Sequence, residues 1–402
     1  MKESCPIIRL IVVLYCDGDY DHSITIIKPE TRQLILKSLK LTQFKNYASL
    51  HIEPDAGINL ISGANGMGKT NLQDAIYYLA LTKSYFQVRD QQVIQYDQEF
   101  FRIDGHFQQS EDLIQVVCKY NRLEKVMEWE GKAYERLSEH IGRIPVVFVA
   151  PDDIWILNET GEARRRFVDI TISQFDPGYL DDVINYNRFL KQKQSLLKFP
   201  SQGKSVDLVL LRAYNDRMAR LASLIYHQRK KFIEEFEPIF QSFYRDIAQI
   251  SESVSVTYES SQSEEPLDIT LEANMQEELR QRRAIYGIHR DDLKFELFGK
   301  SIRRLASQGQ KKTFLLALKL AQHRMLEQVL QKKPILLIDD IFEKLDPSRV
   351  EGILKTIHHQ VGGQVFITDT QSERVLNILK KEGIKSTNYF MEDAAIKSQT
   401  YE

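Results

Sequence analysis

Gly57-Ile58-Asn59-Leu60-Ile61-Ser62-Gly63-Ala64-Asn65-Gly66-Met67-Gly68-Lys69-Thr70 reads as a short strand running straight into a glycine-rich loop. Beyond it Leu72, Ala75, Ile76, Leu79 and Ala80 recur at helical spacing, so the glycines sit between a strand and a helix. From Gly63 to Thr70 every fixed position of the P-loop pattern G-x-x-x-x-G-K-[ST] is met. Glycines let the backbone turn until successive N–H groups point at one anion, and the helix start adds its dipole. Lys69 can then reach the β- and γ-phosphates, and the Thr70 hydroxyl can ligate Mg²⁺. A chance match in an ordinary turn would not bring its own strand and helix. The segment predicts nucleotide binding by Gly63, Ala64, Asn65, Gly66, Met67, Gly68, Lys69 and Thr70.

A P-loop needs an acid to complete it. Pro334-Ile335-Leu336-Leu337-Ile338-Asp339-Asp340 is an apolar run closed by two carboxylates. In a P-loop protein the first, Asp339, holds Mg²⁺ and the second, Asp340, orients the attacking water, which makes Lys69 and Asp340 the candidate catalytic pair. About 270 residues separate Lys69 from Asp339, too many for the core of a small GTPase or nucleotide kinase. They suit an ATPase whose two lobes flank an insertion. Ser307-Gln308-Gly309-Gln310 opens a helix just before the acidic strand, offering a hydroxyl and free N–H groups. Alone it is a plain N-cap. With the P-loop and the acid pair in this order it looks like the signature of ABC-type ATPases, in which one head caps the γ-phosphate held by another.

The rest of the chain supports a split α/β domain with a helical insert. Ile35, Leu39 and Leu41, then Leu50 and Ile52, predict two short strands around Asn46-Tyr47. Strand-like text returns at 100–105, 113–120 and 145–150. From Asp176 to Ile285 the pattern is mostly helical, with Leu211, Tyr214, Met218, Leu221 and Ile225 on one face. Strands are expected again at 293–297, 335–338 and 364–368, with a helix from about Gly309 to Gln331 and a closing helix. The divisions are 1–34, an extension of unknown role; 35–175 and 287–402, two parts of an ATPase lobe; and 176–286, the helical lobe.

Composition limits the partners. The chain has 402 residues, 43% hydrophobic and 27% charged, with 54 basic against 56 acidic side chains and a formal net charge of -2. That excludes a histone-like protein but not a local basic patch. Cys5, Cys16 and Cys118 are too few and scattered for a disulfide framework. No apolar run reaches the roughly 18 residues that span a bilayer, Ile7–Cys16 being the longest, so no membrane partner is expected. Residues 186–235 hold eleven Lys/Arg against four acids. Such a surplus suits the phosphate backbone of DNA, with Arg188, Lys191, Lys193, Arg212, Arg217, Arg220, Lys230 and Lys231 as candidates; a solvated outer helix face competes with it. His289-Arg290-Asp291-Asp292 is a polar cluster that reads equally well as a charged turn, and Arg164-Arg165-Arg166 reads by default as a solvated helix face paired with acids.

Taken in order, Phe44-Lys45-Asn46-Tyr47, Gly63 to Asn71, Ala75-Ile76, Ala150-Pro151-Asp152-Asp153, Arg164 to Asp169, Gly287 to Asp292, Ser307 to Lys311, Asp339-Asp340 and Leu345-Asp346 resemble the bacterial RecF family of recombination mediators. The likeness runs from Ile35 onward. Ile288 replaces the family's proline before His-Arg-Asp-Asp, Lys83 its usual arginine after the first helix, and Phe366-Ile367-Thr368-Asp369 lacks the switch histidine of transporters. The resemblance implies an ABC/SMC-like P-loop ATPase head with a mixed sheet and an inserted helical lobe. It implies slow, DNA-stimulated hydrolysis of ATP with Mg²⁺ held by Thr70 and Asp339. It also implies an ATP-dependent homodimer on double-stranded and gapped DNA, in which Ser307, Gly309 and Gln310 act in trans and Asp346 belongs to the D-loop. Loading of recombinase with RecR and RecO in the cytoplasm completes the picture. The alternative is an SMC-type head from another DNA-maintenance or phage-defence system; such proteins usually carry long heptad arms or an added nuclease domain.

Overall fold

The computed structural model describes residues 32–159, 161–198, 206–248, 252–263, 265–342, 347–370 and 372–401. Its centre is a six-stranded sheet in the spatial order Ala395–Tyr401, Ser386–Glu392, Ile58–Ser62, Val365–Asp369, Ile335–Asp339, Val146–Val149. All neighbours pair in parallel except the outermost 395–401 strand. Every residue of the 58–62, 335–339 and 365–369 strands is buried. A parallel sheet is covered on both faces, which is why these strands read as unbroken apolar runs.

The side chains of this sheet divide between two cores. Ile61, Val146, Phe148, Ile335, Leu337 and Phe366 face the helix Lys69–Leu81 and a second, antiparallel sheet. Leu60, Val147, Val149, Leu336, Ile338 and Ile367 face the helices Gly161–Ser173, Leu208–Ala248 and Gln308–Leu330. Phe236, Phe240 and Phe314 carry this second core, the last two rings 4.6 Å apart.

The antiparallel sheet contains the two strands expected around Asn46-Tyr47, the first of them longer than expected. Arg32–Phe44 is one strand of 13 residues, paired with Phe101–Gln109 and, over its second half, with Tyr47–Ile52. Its register shifts between Leu36 and Ser38. Leu34 and Leu36 are buried before the bulge, Leu39 and Leu41 after it, and Ile35 lies on the other face. One extra residue reverses the parity, so both apolar pairs reach the same core.

One division falls inside a strand, another is crossed by strand pairing, and two strands are added at the end. Residues 32–34 already belong to the first strand, so the expected 34/35 division falls inside an element. The helical segment contains the strand Val254–Glu259, which pairs with Asp292–Leu297 across the 286/287 division. The closing helix, Ser372–Lys381, is followed by the hairpin strands 386–392 and 395–401, which were not expected. No helix among the described residues is long and apolar enough to cross a membrane.

Candidate nucleotide-binding site

Parallel strands deliver their ligand residues at their carboxyl ends, and three such ends align here. Asp339 pairs with Thr368, and Asp369 with Ser62, the residue before the P-loop. The ends enclose a cavity of about 240 Å³ lined by Asn65, Gly66, Gly68, Lys69, Thr70, Asn71, Asp339, Asp340 and Thr368.

Gly68, the residue before the helix, has φ of 104°, and a Cβ there would lie 2.7 Å from both Asn46 Nδ2 and Tyr47 Oη. Tyr47 in turn donates to the Gly68 carbonyl at 2.8 Å, and Asn71 donates to Asn46 at 2.7 Å. The Asn46-Tyr47 turn thus buttresses the loop from outside, a role invisible in the spacing. Gly66 has φ of 82°, with nothing within 4 Å of a built Cβ. Gly63 is crowded instead by the Met391 carbonyl oxygen of the hairpin, 2.3 Å from where its Cβ would stand.

Lys69 is buried and donates to the carbonyls of Gly63 and Ala64 at 2.7 and 2.8 Å. Burial holds its ammonium below the ordinary value, against the attraction of Asp340, Asp339 and Asp369. Asp339 Oδ1 accepts from Thr70 at 2.8 Å and from Thr368 at 2.7 Å. Burial pushes this carboxyl up and Asp152 adds to it, while the two hydroxyls and Lys69 oppose. Asp340 is a non-glycine residue with φ of 43°, its N–H bonded to the Thr368 carbonyl and hydroxyl. Gln73 of the P-loop helix donates to the carbonyls of Ile338 and Phe366 at 3.0 and 3.1 Å, tying that helix to both acidic strands. Sequence reading passed over Thr368 and Gln73. Thr368 stands in the segment where transporters carry the switch histidine, which is the signal that could have found it.

The Ser307 tetrapeptide is a reciprocal cap. Ser307 Oγ accepts from the Gln310 N–H at 3.2 Å, and Gln310 Oε1 accepts from the Ser307 N–H at 2.9 Å. The helix starts at Gln308, one residue before the expected Gly309. Ser307, Gly309 and Gln310 do not line the P-loop cavity of their own chain. Leu345 and Asp346 lie outside the described residues.

The two polar clusters meet. Arg164 forms a forked pair with Asp292 at 2.6 and 2.8 Å, and Arg165 donates to the Asp291 carbonyl. Between them Arg229, from the basic segment, is buried against Asp169 and Asp291. That segment is therefore less of a surface than its composition suggests. Lys193 is fully buried 2.6 Å from Glu278, itself fully buried, and is withdrawn from the DNA candidates: a charge enclosed with its partner cannot reach a phosphate. Arg188, Lys191, Arg212, Arg217, Arg220, Lys230 and Lys231 are exposed. Arg188 and Arg217 flank the Phe189 ring at 5.1 and 5.4 Å, and Arg212 is paired with Glu272 at 2.9 Å.

The family model described as RecF/RecN/SMC N terminal domain matches residues 35–391. The DNA replication and repair protein RecF of Flavobacterium johnsoniae is 41% identical over 346 residues, 86% of this chain and 96% of that protein. The RecF of Bacteroides fragilis is 40% identical over 366 residues, 90% and 98% of the two chains. Among solved structures, the recombination mediator RecF of the RecFOR pathway in its RecF-ATP form matches with a TM-score of 0.80 and 27% identity, over 92% of this chain and 98% of that one. The Smc head domain of Pyrococcus furiosus shares the fold at a TM-score of 0.52 and 17% identity, over 92% and 96% of the two chains. The chain is a member of the bacterial RecF family of DNA replication and repair proteins, built on an ABC/SMC-type ATPase head.

Proposed function

We propose that this protein is an ATP-driven switch of recombinational repair: a slow ATPase that pairs with a second copy of itself on gapped DNA and, with RecR and RecO, helps load recombinase in the cytoplasm. One observation carries the reading. The phosphate cradle and the Ser307 cap are both formed in one chain, yet Ser307 is absent from the lining of the cavity that contains Lys69. A partner copy would bring the two halves together.

The cavity residues fit ATP and Mg²⁺. The loop is open at Gly66, so its N–H groups can face a phosphate. Mg²⁺ would be held by Thr70 and Asp339, whose oxygens already lie 2.8 Å apart, and when bound it neutralises charge on the phosphates. Lys69 exchanges its two carbonyl partners for phosphate oxygens. Thr368 keeps Asp339 aimed, and Asp340 orients the attacking water from its fixed backbone position. Ser307 and the N–H groups of its helix start cap the γ-phosphate of the partner's nucleotide. ADP cannot be capped in this way, so ATP alone shifts the equilibrium toward the dimer. DNA phosphates meet the exposed Arg217, Arg220, Lys230 and Lys231.

Molar mass in solution tests the reading. ATP should double it on gapped DNA and ADP should not. Ser307→Arg should leave ATP binding by the monomer near parental while abolishing dimerisation and hydrolysis together. A Ser307→Arg protein that still dimerises with ATP removes this architecture.

A further inference from the structure

A cavity larger than the nucleotide pocket, about 640 Å³, opens at the far end of the P-loop helix. It is walled by the helices Gly161–Ser173 and Pro177–Lys198 and reaches Leu81 and Lys83. Since the P-loop helix has 13 residues, this end lies about 20 Å from Lys69. Its two sides differ in chemistry. Leu180, Val183, Ile184 and Leu190 form an aliphatic wall, while Lys83, Arg165, Arg166 and Arg229 bring four cations.

The carboxylates do not balance them. Asp169 is held by Arg229 through two bonds of 2.9 Å each, which leaves Glu162 as the other acid in the lining. Arg165 gives its guanidinium to a backbone oxygen, that of Asp291. Lys83 and Arg166 form no ion pair or hydrogen bond with any described residue. With Arg229 engaged by Asp169 and Asp291, the two remaining cations Lys83 and Arg166 face Glu162 across the lining, and like charges so gathered favour an incoming anion.

We propose that this cavity is a second anion site that takes a nucleotide through its terminal phosphate, with Lys83 and Arg166 on the phosphate and the aliphatic wall against sugar and base. A phosphomonoester carries about -1.5 to -2 charge at pH 7, a better match to this surplus than the single charge of an internal diester. Inorganic phosphate would leave most of the space unfilled, whereas small-ligand pockets run from roughly 300 to 1,000 Å³. Two sources share this chemistry: a free nucleoside monophosphate and the 5′-phosphorylated end of a DNA strand.

Calorimetric titration in a Lys69→Met background, which disables the P-loop, tests the site with dAMP, inorganic phosphate, and a tetranucleotide with and without its 5′-phosphate. One phosphorylated probe should bind one to one, at least tenfold more weakly to the Lys83→Gln/Arg166→Gln protein. Binding of dAMP identifies the free nucleotide; binding confined to the phosphorylated strand identifies the strand end. Val183→Trp, which fills the wall and keeps every charge, should weaken binding as much, and thermal unfolding midpoints verify that each variant is folded. The site is overturned if neither phosphorylated probe distinguishes these variants from their parent, or if inorganic phosphate binds as tightly as dAMP. Neither result touches the dimer, whose test reads mass with ATP.

Discussion

Gly68 and Gly66 both hold backbone angles that favour glycine, but only Gly68 is enclosed by Asn46 and Tyr47. Gly66→Ala should therefore incur conformational strain alone, of order 1–3 kcal/mol, while Gly68→Ala must also displace the buttress. ATP titration should place the loss for Gly68→Ala at tenfold or more beyond that for Gly66→Ala, and equal losses would show that the Asn46-Tyr47 buttress is idle. Asp340 calls for a different measurement. Asp340→Asn should retain ATP affinity and lose at least tenfold in hydrolysis, trapping the dimer; a parental rate removes Asp340 from the water-orienting role. The P-loop was legible because backbone geometry imposes glycine and lysine at fixed offsets. Thr368 was not, since its importance comes from a partner strand: Asp339 and Thr368 are neighbours only once the sheet has formed.

Among elements, the pair of helices Pro177–Lys198 and Leu208–Ala248 shows why composition misleads. Lys193 and Arg229 are two of the eleven cations that suggest a DNA surface, yet both are engaged inside by Glu278 and Asp169. A linear count cannot see a carboxylate some 60 to 85 residues away. Lys193→Met should leave Glu278 charged and enclosed, costing about 3–5 kcal/mol in urea unfolding, and Lys193→Met/Glu278→Leu should recover most of it. If the double variant is as unstable as the single one, the loss lies in packing instead. Neither change should alter the salt dependence of DNA binding. Charge reversal of Arg217, Arg220, Lys230 and Lys231 should flatten that dependence by about 0.9 in slope for each phosphate that is no longer neutralised. An unchanged slope returns the segment to a solvated face.

For the molecule as a whole, acid stability rests partly on two enclosed imidazoles. His140 and His323 are fully buried, their Nε2 atoms against the carbonyls of Leu79 and Pro334. Burial lowers them from 6.5 to about 4 and about 3. The unfolded chain therefore binds these protons more readily than the folded one, and the stabilisation present above pH 6.5 is lost on acidification. Between pH 6 and pH 4.5 each contributes up to about 1.4 kcal/mol per pH unit. His140→Gln/His323→Gln should flatten the fall of the urea midpoint across that interval, and an unaltered fall would assign it to carboxylates or to His289, which burial also lowers to about 4.

The hairpin strand Ser386–Glu392 lies directly beside the strand Ile58–Ser62 that leads into the P-loop, and its Met391 carbonyl crowds Gly63. Synthesis on the ribosome delivers Gly63 more than 300 residues before that neighbour. Throughout this interval the emerging P-loop lacks its neighbour at Met391, and for most of it the loop also lacks its acid, which arrives only with the 335–339 strand. If the proposed switch holds, a chain truncated before residue 335 should bind ATP more weakly than the finished protein, and the switch would then be unavailable until synthesis is nearly complete.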